Sequence, residues 1–154
     1  MGELVVTALL CGLLSGGETE LRRDFLNNGR PRIVRIDCET PSHVIEVGLD
    51  GRASARDSVH QAVFAAELTG KTPMVILIDT DGVEGRYEQE MRIVTRRLGI
   101  AYATCRQSFV ERWAATSAFR VIGSDKRLDD LPRNASARRH CDLGPDFDPP
   151  DLGQ

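Results

Sequence analysis

Two acidic residues stand in neighbouring β-branched runs of this chain. Asp37 closes the run 32–37 (RIVRID), and Glu46 lies inside the run 43–49 (HVIEVGL). The stretch between them, Cys-Glu-Thr-Pro-Ser, is rich in turn formers, so the pattern predicts a hairpin with a loop of about four residues. If Glu39 to Ser42 form that loop, Cys38 faces His43 and Asp37 faces Val44. Alternation of side chains then brings Glu46 onto the face of Asp37 as its diagonal neighbour. Two carboxylates so placed, completed by a backbone carbonyl, make a partial oxygen shell for Mg²⁺, an ion that keeps several waters and bridges to phosphate oxygens. The chemistry this suggests is metal-assisted hydrolysis of a phosphodiester. The plainer expectation on the same face is Arg35 opposite Glu46, a cross-strand ion pair worth under ~1 kcal/mol if exposed.

A second acidic motif closes the run 74–83 (MVILIDTDGV), an apolar strand ending in Asp79-Thr-Asp81-Gly. Aspartates at the end of a strand also cap the helix that follows, and Asp81 with Glu84 fits that role. Other chemistries find less support. His43 and His140 have no nucleophile at suitable spacing, and no Gly-rich phosphate loop is present. The four cysteines form no CxxC pair, which argues against structural zinc. Cys11, Cys38 and Cys105 sit in apolar runs and are expected to be buried free thiols in a reducing cytoplasm.

These residues must be positioned by one modest domain. The chain has 154 residues, 41% of them hydrophobic, and a formal charge of −3, which argues against a strongly basic nucleic-acid coat. The apolar run 4–14 is too short to span a bilayer and has no basic residue before it, so it reads as a buried helix, with no membrane partner expected. Glu18, with Leu21 and Phe25 at i, i+4, predicts a second helix ended by Asn27-Asn28-Gly29. After the hairpin, Ser54-Ala-Arg-Asp57 resembles a capping box for a helix carrying Val59, Ala62, Val63 and Ala66, which stops at Gly70. Strands at 74–79 and 100–105 then alternate with a helix bearing Tyr87, Met91, Val94 and Leu98, and with one that starts at Ser108 and carries Phe109 and Trp113. The order α-α-β-β-α-β-α-β-α implies an α/β domain over 1–119, with a mixed central sheet flanked by helices. Residues 120–140 carry a net +3 and 141–154 a net −4, with three prolines among the latter. The segment 120–154 therefore reads as a polar, partly disordered extension.

The block 32–77 resembles the PD-(D/E)XK, or restriction-endonuclease-like, nuclease superfamily. It is similar to a bacterial branch reading roughly RIDCET-x-HVIEVGLD, then a helix with a Gln, then L-T-G-K and an apolar strand. That likeness implies a restriction-endonuclease-like core. It makes Asp37 the metal-binding aspartate and Glu46 the acidic residue of the (D/E)XK element, with Val47 offering its carbonyl. Gln61 resembles the glutamine of a QxxxY motif. Glu20 or Glu18, on the preceding helix, would be an additional ligand, Arg52 or Arg56 could neutralise a transition-state anion, and Mg²⁺ is the implied cofactor. The third position of E-x-K is Gly48, however, and the position four after Gln61 is Ala65. Only two lysines exist, Lys71 and Lys126. Two expectations follow: a nuclease or nucleic-acid processing enzyme with altered residues, or a catalytically silent binding or assembly module on the same fold. A homodimer is compatible with either. The D-T-D-G run separately resembles the first motif of haloacid dehalogenase-like phosphatases. There Asp79 would be the nucleophile and Asp81 the acid/base, with Lys126 and Asp129-Asp130 as later partners.

Overall fold

The computed structural model describes residues 2–14, 18–116 and Cys141. The elements in chain order are α1 (Glu3–Leu13), β1 (Glu18–Asn27), β2 (Arg30–Glu39), β3 (His43–Leu49), a 3₁₀ turn (Ala53–Arg56), α2 (Asp57–Thr69), β4 (Thr72–Asp79), α3 (Arg86–Leu98), β5 (Ala101–Arg106) and α4 (Gln107–Ala115). The five strands form one sheet in the order β1-β2-β3-β4-β5. Pairing is antiparallel from β1 to β3 and parallel from β3 to β5. The expected mixed α/β sheet is therefore present. Lys126, Asp129, Asp130, His140 and the rest of 120–154 apart from Cys141 lie outside the described residues.

Two crossovers in the same direction, β3-α2-β4 and β4-α3-β5, place α2 and α3 on one face of the sheet. α1 and α4 cover the other. β4 shows why its run is continuously apolar: Met74, Ile76 and Ile78 pack with Leu10, Leu13 and Val110, while Val75 and Leu77 pack with Ala62 and Met91. Phe109 and Trp113 join the α1 side, as their helical spacing predicts. Gly70 and Gly99 end α2 and α3 in the left-handed conformation at φ 71° and 69°.

The segment 18–27 is a strand where a helix was expected. A separation of four residues is both a helical turn and an even number of strand steps, so Leu21 and Phe25 share a face either way. Asn28 and Gly29, with φ of 50° and 72°, are the two central residues of a tight turn that joins Asn27 to Arg30 across β1 and β2. Two consecutive positive φ values match the right-handed twist of a hairpin, which is what Asn-Gly supplies.

Three cap assignments also change. Ser54 makes no side-chain cap, because 53–56 is a 3₁₀ turn leading into α2. α3 starts at Gly85, whose N–H is taken by the Glu88 carboxylate at 2.6 Å, rather than at Asp81. At α4 the cap residue is Arg106, and Ser108 lies inside the helix. On α3 the buried residues are Glu88, Met91 and Thr95, leaving Val94 and Leu98 exposed.

All four cysteines are paired, which corrects the expectation of free thiols. Cys11–Cys38 ties α1 to β2, and Cys105–Cys141 ties β5 to the otherwise undescribed C-terminal stretch. Burial of Cys11, Cys38 and Cys105 is as expected. No described helix is long and apolar enough to cross a membrane.

Candidate functional site

β2 and β3 pair over only two positions, Cys38 with Ile45 and Glu39 with Val44. The register differs by two residues from that expected, because Pro41 and Ser42 alone make the bend and Thr40 bonds back to the His43 carbonyl at 2.9 Å. A shift of two leaves the paired side chains on their faces, but the paired positions end at Cys38, before Asp37. Asp37 and Glu46 are nonetheless neighbours, close enough for their carboxyl groups to act on each other. Beyond the ladder, the Val47 N–H goes to Asp37 Oδ2 at 2.9 Å.

The break has a local cause. Ile36 packs with Val44 and Ala65 on the α2 side, whereas Cys38, two residues on, belongs to the α1 side. Regular alternation would put both on one face, so β2 is distorted at Asp37. The opposing residue of β1, Glu20, sits at φ 53°, and neither Glu20 nor Asp37 is paired in a β1–β2 ladder that is otherwise continuous from Glu18 to Asn27. Irregularities of this kind re-aim side chains beside functional sites, and a left-handed glutamate costs about 1–3 kcal/mol that its surroundings must offset.

Asp37 is half-buried and Glu46 only 2% exposed. Burial, then the neighbouring Asp37 charge, pushes the Glu46 carboxyl up to about 9 from its ordinary value of 4.5. Burial also raises Asp37, against the lowering effect of the Val47 N–H, and the charges of Glu20 and Glu3 add to the rise. Glu46 Oε1 is buried with no hydrogen-bond partner among the described residues. Carboxylates from α1 and β1 thus add their charge to the buried β2–β3 pair, Glu3 and Glu20 at Asp37 and Glu20 also at Glu46. Two arginines stand at the rim: Arg52 reaches Glu3 at 3.5 Å and Arg35 reaches Glu20 at 3.9 Å. The expected Arg35–Glu46 pair is not formed. In β2, Arg35 instead has Arg22 as its cross-strand partner.

Glu20 enters this group from a strand, not from a helix. The helical carboxylate is Glu3, in the first turn of α1, which the sequence reading missed. Glu3 is the one acidic residue of the opening helix, but no spacing or motif in the sequence ties it to Asp37. Val47 is buried and pairs with Ile76. Gln61 is exposed on α2 and makes no side-chain hydrogen bond among the described residues, while its neighbour His60 stacks on Phe64. Arg56 pairs with Glu90 at 2.8 Å, away from the carboxylates.

The absence of a lysine two residues after Glu46 has a steric reason. A Cβ on Gly48 would lie 2.9 Å from Leu77 Cδ2 and 3.2 Å from both Cα and Cβ of Ala55. The 3₁₀ turn packs its backbone onto β3 at this point, so a side chain here requires Leu77 and Ala55 to give way. Lys71 cannot substitute, since its Nζ bonds Glu39 and the Thr40 carbonyl, each at 2.7 Å.

A second acidic group lies at the carboxyl ends of β3 and β4. One oxygen each from Asp50, Asp79 and Asp81 falls within 4.8 Å of the others, so the three could hold a metal ion. Asp50 also accepts the Thr80 N–H and hydroxyl at 3.0 and 2.7 Å. Asp79 accepts the N–H groups of Asp81 and Gly82, and Asp81 that of Val83, which accounts for these carboxylates as loop organisers. Burial, followed by the charges of Asp79, Asp50 and Asp81, raises the nearby Glu88 carboxyl.

Comparison with protein-family models, with curated proteins and with solved structures returns no match.

Proposed function

We propose that the chain is a metal-dependent phosphodiester hydrolase of the PD-(D/E)XK type, centred on Asp37 and Glu46. The observation that carries this reading is a buried Glu46 whose Oε1 has no hydrogen-bond partner among the described residues and whose carboxyl lies beside that of Asp37, where β2 parts from β3. A protein gains nothing structural from stranding a carboxyl oxygen without a partner, and the cost is about 1–3 kcal/mol. Asp37 and Glu46 supply two carboxylates, which suits a hard cation such as Mg²⁺ that keeps several waters. Glu20 and Glu3 are close enough to add charge, while the one group of three converging carboxylates among the described residues is Asp50, Asp79 and Asp81. An ion held by Asp37 and Glu46 would acidify a water and offset charge on the attacked phosphate.

The chain's own residues have defined tasks in this scheme. The Val47 N–H holds the Asp37 carboxylate in place. Glu46, the more buried of the two carboxyls, would have to release its proton to hold such an ion. Arg35 and Arg52, as permanent cations at the rim, attract and orient phosphate but do not exchange a proton near neutral pH. The proton transfers that a motif lysine would assist fall to solvent, which predicts slow turnover. The order of elements, one helix, three antiparallel-linked strands, a helix and a parallel strand, supports a restriction-endonuclease-like core.

Isothermal calorimetry with Mg²⁺ or Mn²⁺ tests the site directly. In an Asp79→Asn background, which disables the other acidic group, heat is expected with Asp37 intact and not with Asp37→Asn, together with cleavage of DNA or RNA that Glu46→Gln abolishes. Metal binding without cleavage would leave the silent binding module as the remaining form of this reading. The proximity of Asp50, Asp79 and Asp81 favours a second reading, phosphatase chemistry at Asp79. Turnover of a generic phosphomonoester, lost in Asp79→Asn and retained in Asp37→Asn, would establish it.

A further inference from the structure

We infer that the β1–β2 ribbon is a docking arm for double-stranded DNA, an inference that rests on the nucleic-acid reading above and names the partner and the surface. Beyond the Cys38–Ile45 pair, β2 has no strand partner except β1, so residues 21–36 form a two-stranded ribbon whose inner face rests on α2 through Ile36 and Phe25. This stretch holds five arginines and one aspartate, a net charge of +4 in a chain of net −3. Arg23 is engaged by Glu39, at 2.6 Å. Arg22, Arg30 and Arg32 are exposed and have no acidic partner among the described residues, and Arg35 has only the loose contact to Glu20.

The register sorts the ribbon into two faces. One is tied down: Phe25 meets the ring of Phe64 on α2 edge-on at 4.9 Å. The other carries Arg22 with Arg35, Asp24 with Ile33, and Leu26 with Pro31, and all six residues are exposed. Arg22 and Arg35 are direct cross-strand partners, an arrangement of like charges that destabilises a sheet unless an anion sits between them. That pair lies two residues from Asp37, and Arg30 stands seven residues from it, about 23 Å along the strand. Arg32 and Arg30 pair with Phe25 and Asn27 and so alternate onto the other face, but both are exposed toward the tip. Positive charge therefore flanks the ribbon on its two faces, from Arg22 and Arg35 near the carboxylates to Arg30 at the tip, over several phosphate spacings of one strand, at ~3.4 Å each.

A two-stranded ribbon fits the major groove of B-form DNA, while the deep, narrow groove of an RNA duplex does not admit it. Exposed Leu26 and Ile33 on the outward face offer apolar contact to thymine methyl groups, which the groove presents.

Fluorescence anisotropy of the full chain in metal-free buffer tests this with a labelled DNA duplex of about 20 base pairs, the matching single strand, an RNA duplex and phosphatidylserine vesicles. The DNA duplex is expected to bind best. Four phosphate contacts give a log–log salt slope near −3.6, and hence about 100-fold weaker binding at 200 than at 50 mM salt. Arg22→Ala/Arg35→Ala and Arg30→Ala/Arg32→Ala should each reduce the slope by about 2, with circular dichroism unchanged. Equal binding of the RNA duplex or vesicles, or double variants with wild-type slope, would overturn the inference. Because no metal is present, its outcome is separate from that of the hydrolase reading: ribbon-dependent binding with no cleavage defeats only the latter, and cleavage indifferent to the ribbon only the former.

Discussion

Asp37 Oδ2 takes the backbone N–H of Val47 at 2.9 Å, so a side chain occupies the place where a strand would have supplied a carbonyl. This one bond lets β2 leave β3 without stranding a buried donor, and it fixes the Asp37 carboxylate beside Glu46. Asp37→Ala should therefore do two things: abolish divalent-metal binding in the Asp79→Asn background, and destabilise the fold by about 1–3 kcal/mol through the orphaned N–H. Asp37→Asn, which retains an acceptor oxygen, should lose the metal but keep most of the stability. Urea denaturation and calorimetry on both variants check this; equal stability loss would show that the bond does not matter.

Glu46 makes the metal-free protein sensitive to pH. Its folded-state value of about 9 lies above the ordinary 4.5, so the folded state holds the proton more tightly than the unfolded chain. The associated stability is fully present below about pH 4.5 and is lost as pH rises through 9. Asp37, also raised, acts in the same direction. In chelator, melting temperature should fall from pH 5 to pH 9. Glu46→Gln should flatten that slope and gain about 2 kcal/mol at pH 8. A slope of wild-type steepness in the variant would contradict the assignment.

Gly48→Ala should cost about 1–3 kcal/mol, since the methyl group meets Leu77 and the Ala55 backbone at once. Gly48→Lys should be worse, and it should not increase cleavage. Paired denaturation and activity measurements decide the point; a stable, more active lysine variant would show that the 3₁₀ turn yields readily.

The Cys11–Cys38 bridge closes a loop with a sequence separation of 27 residues, for which chain entropy suggests about 3 kcal/mol of stabilisation. Non-reducing peptide mapping should recover this pair, and dithiothreitol should lower the melting temperature. Cys11→Ser should match the reduced wild type and be insensitive to reductant. Two disulfides are unusual in a reducing compartment, so recovery of both in protein isolated from its native cells would count against the cytoplasmic expectation. Free thiols there would count for it.

Much of this architecture was legible because burial leaves a periodic trace. The continuous apolar run of β4, the glycine stops of α2 and α3, and the apolar length of α1 each reflect one dominant physical constraint. The segment 18–27 failed because its two apolar markers are four apart, a spacing common to both periods. The Asn28-Gly29 turn, read as a helix end, carried the decisive signal. That Asp37 and Glu46 lie close together was legible from the hairpin, but not the means: alternation breaks at Asp37, whose side chain turns to bond the Val47 N–H beside Glu46. Glu3 was hidden for a different reason: it belongs to an element far away in sequence, and only the packing of α1 over the sheet brings its charge to Asp37. The cysteine pairing was equally invisible, as burial of a thiol and burial of a bridge leave the same hydrophobic context.

The close approach of Ala55 to Gly48 links two stretches that sequence comparison would treat as independent. Any homologue that places lysine at position 48 must also open the space above it, by shortening, deleting or redirecting the 53–56 turn. The two changes should travel together through evolution, so a lysine at this position is expected alongside a shifted entry to the helix that follows.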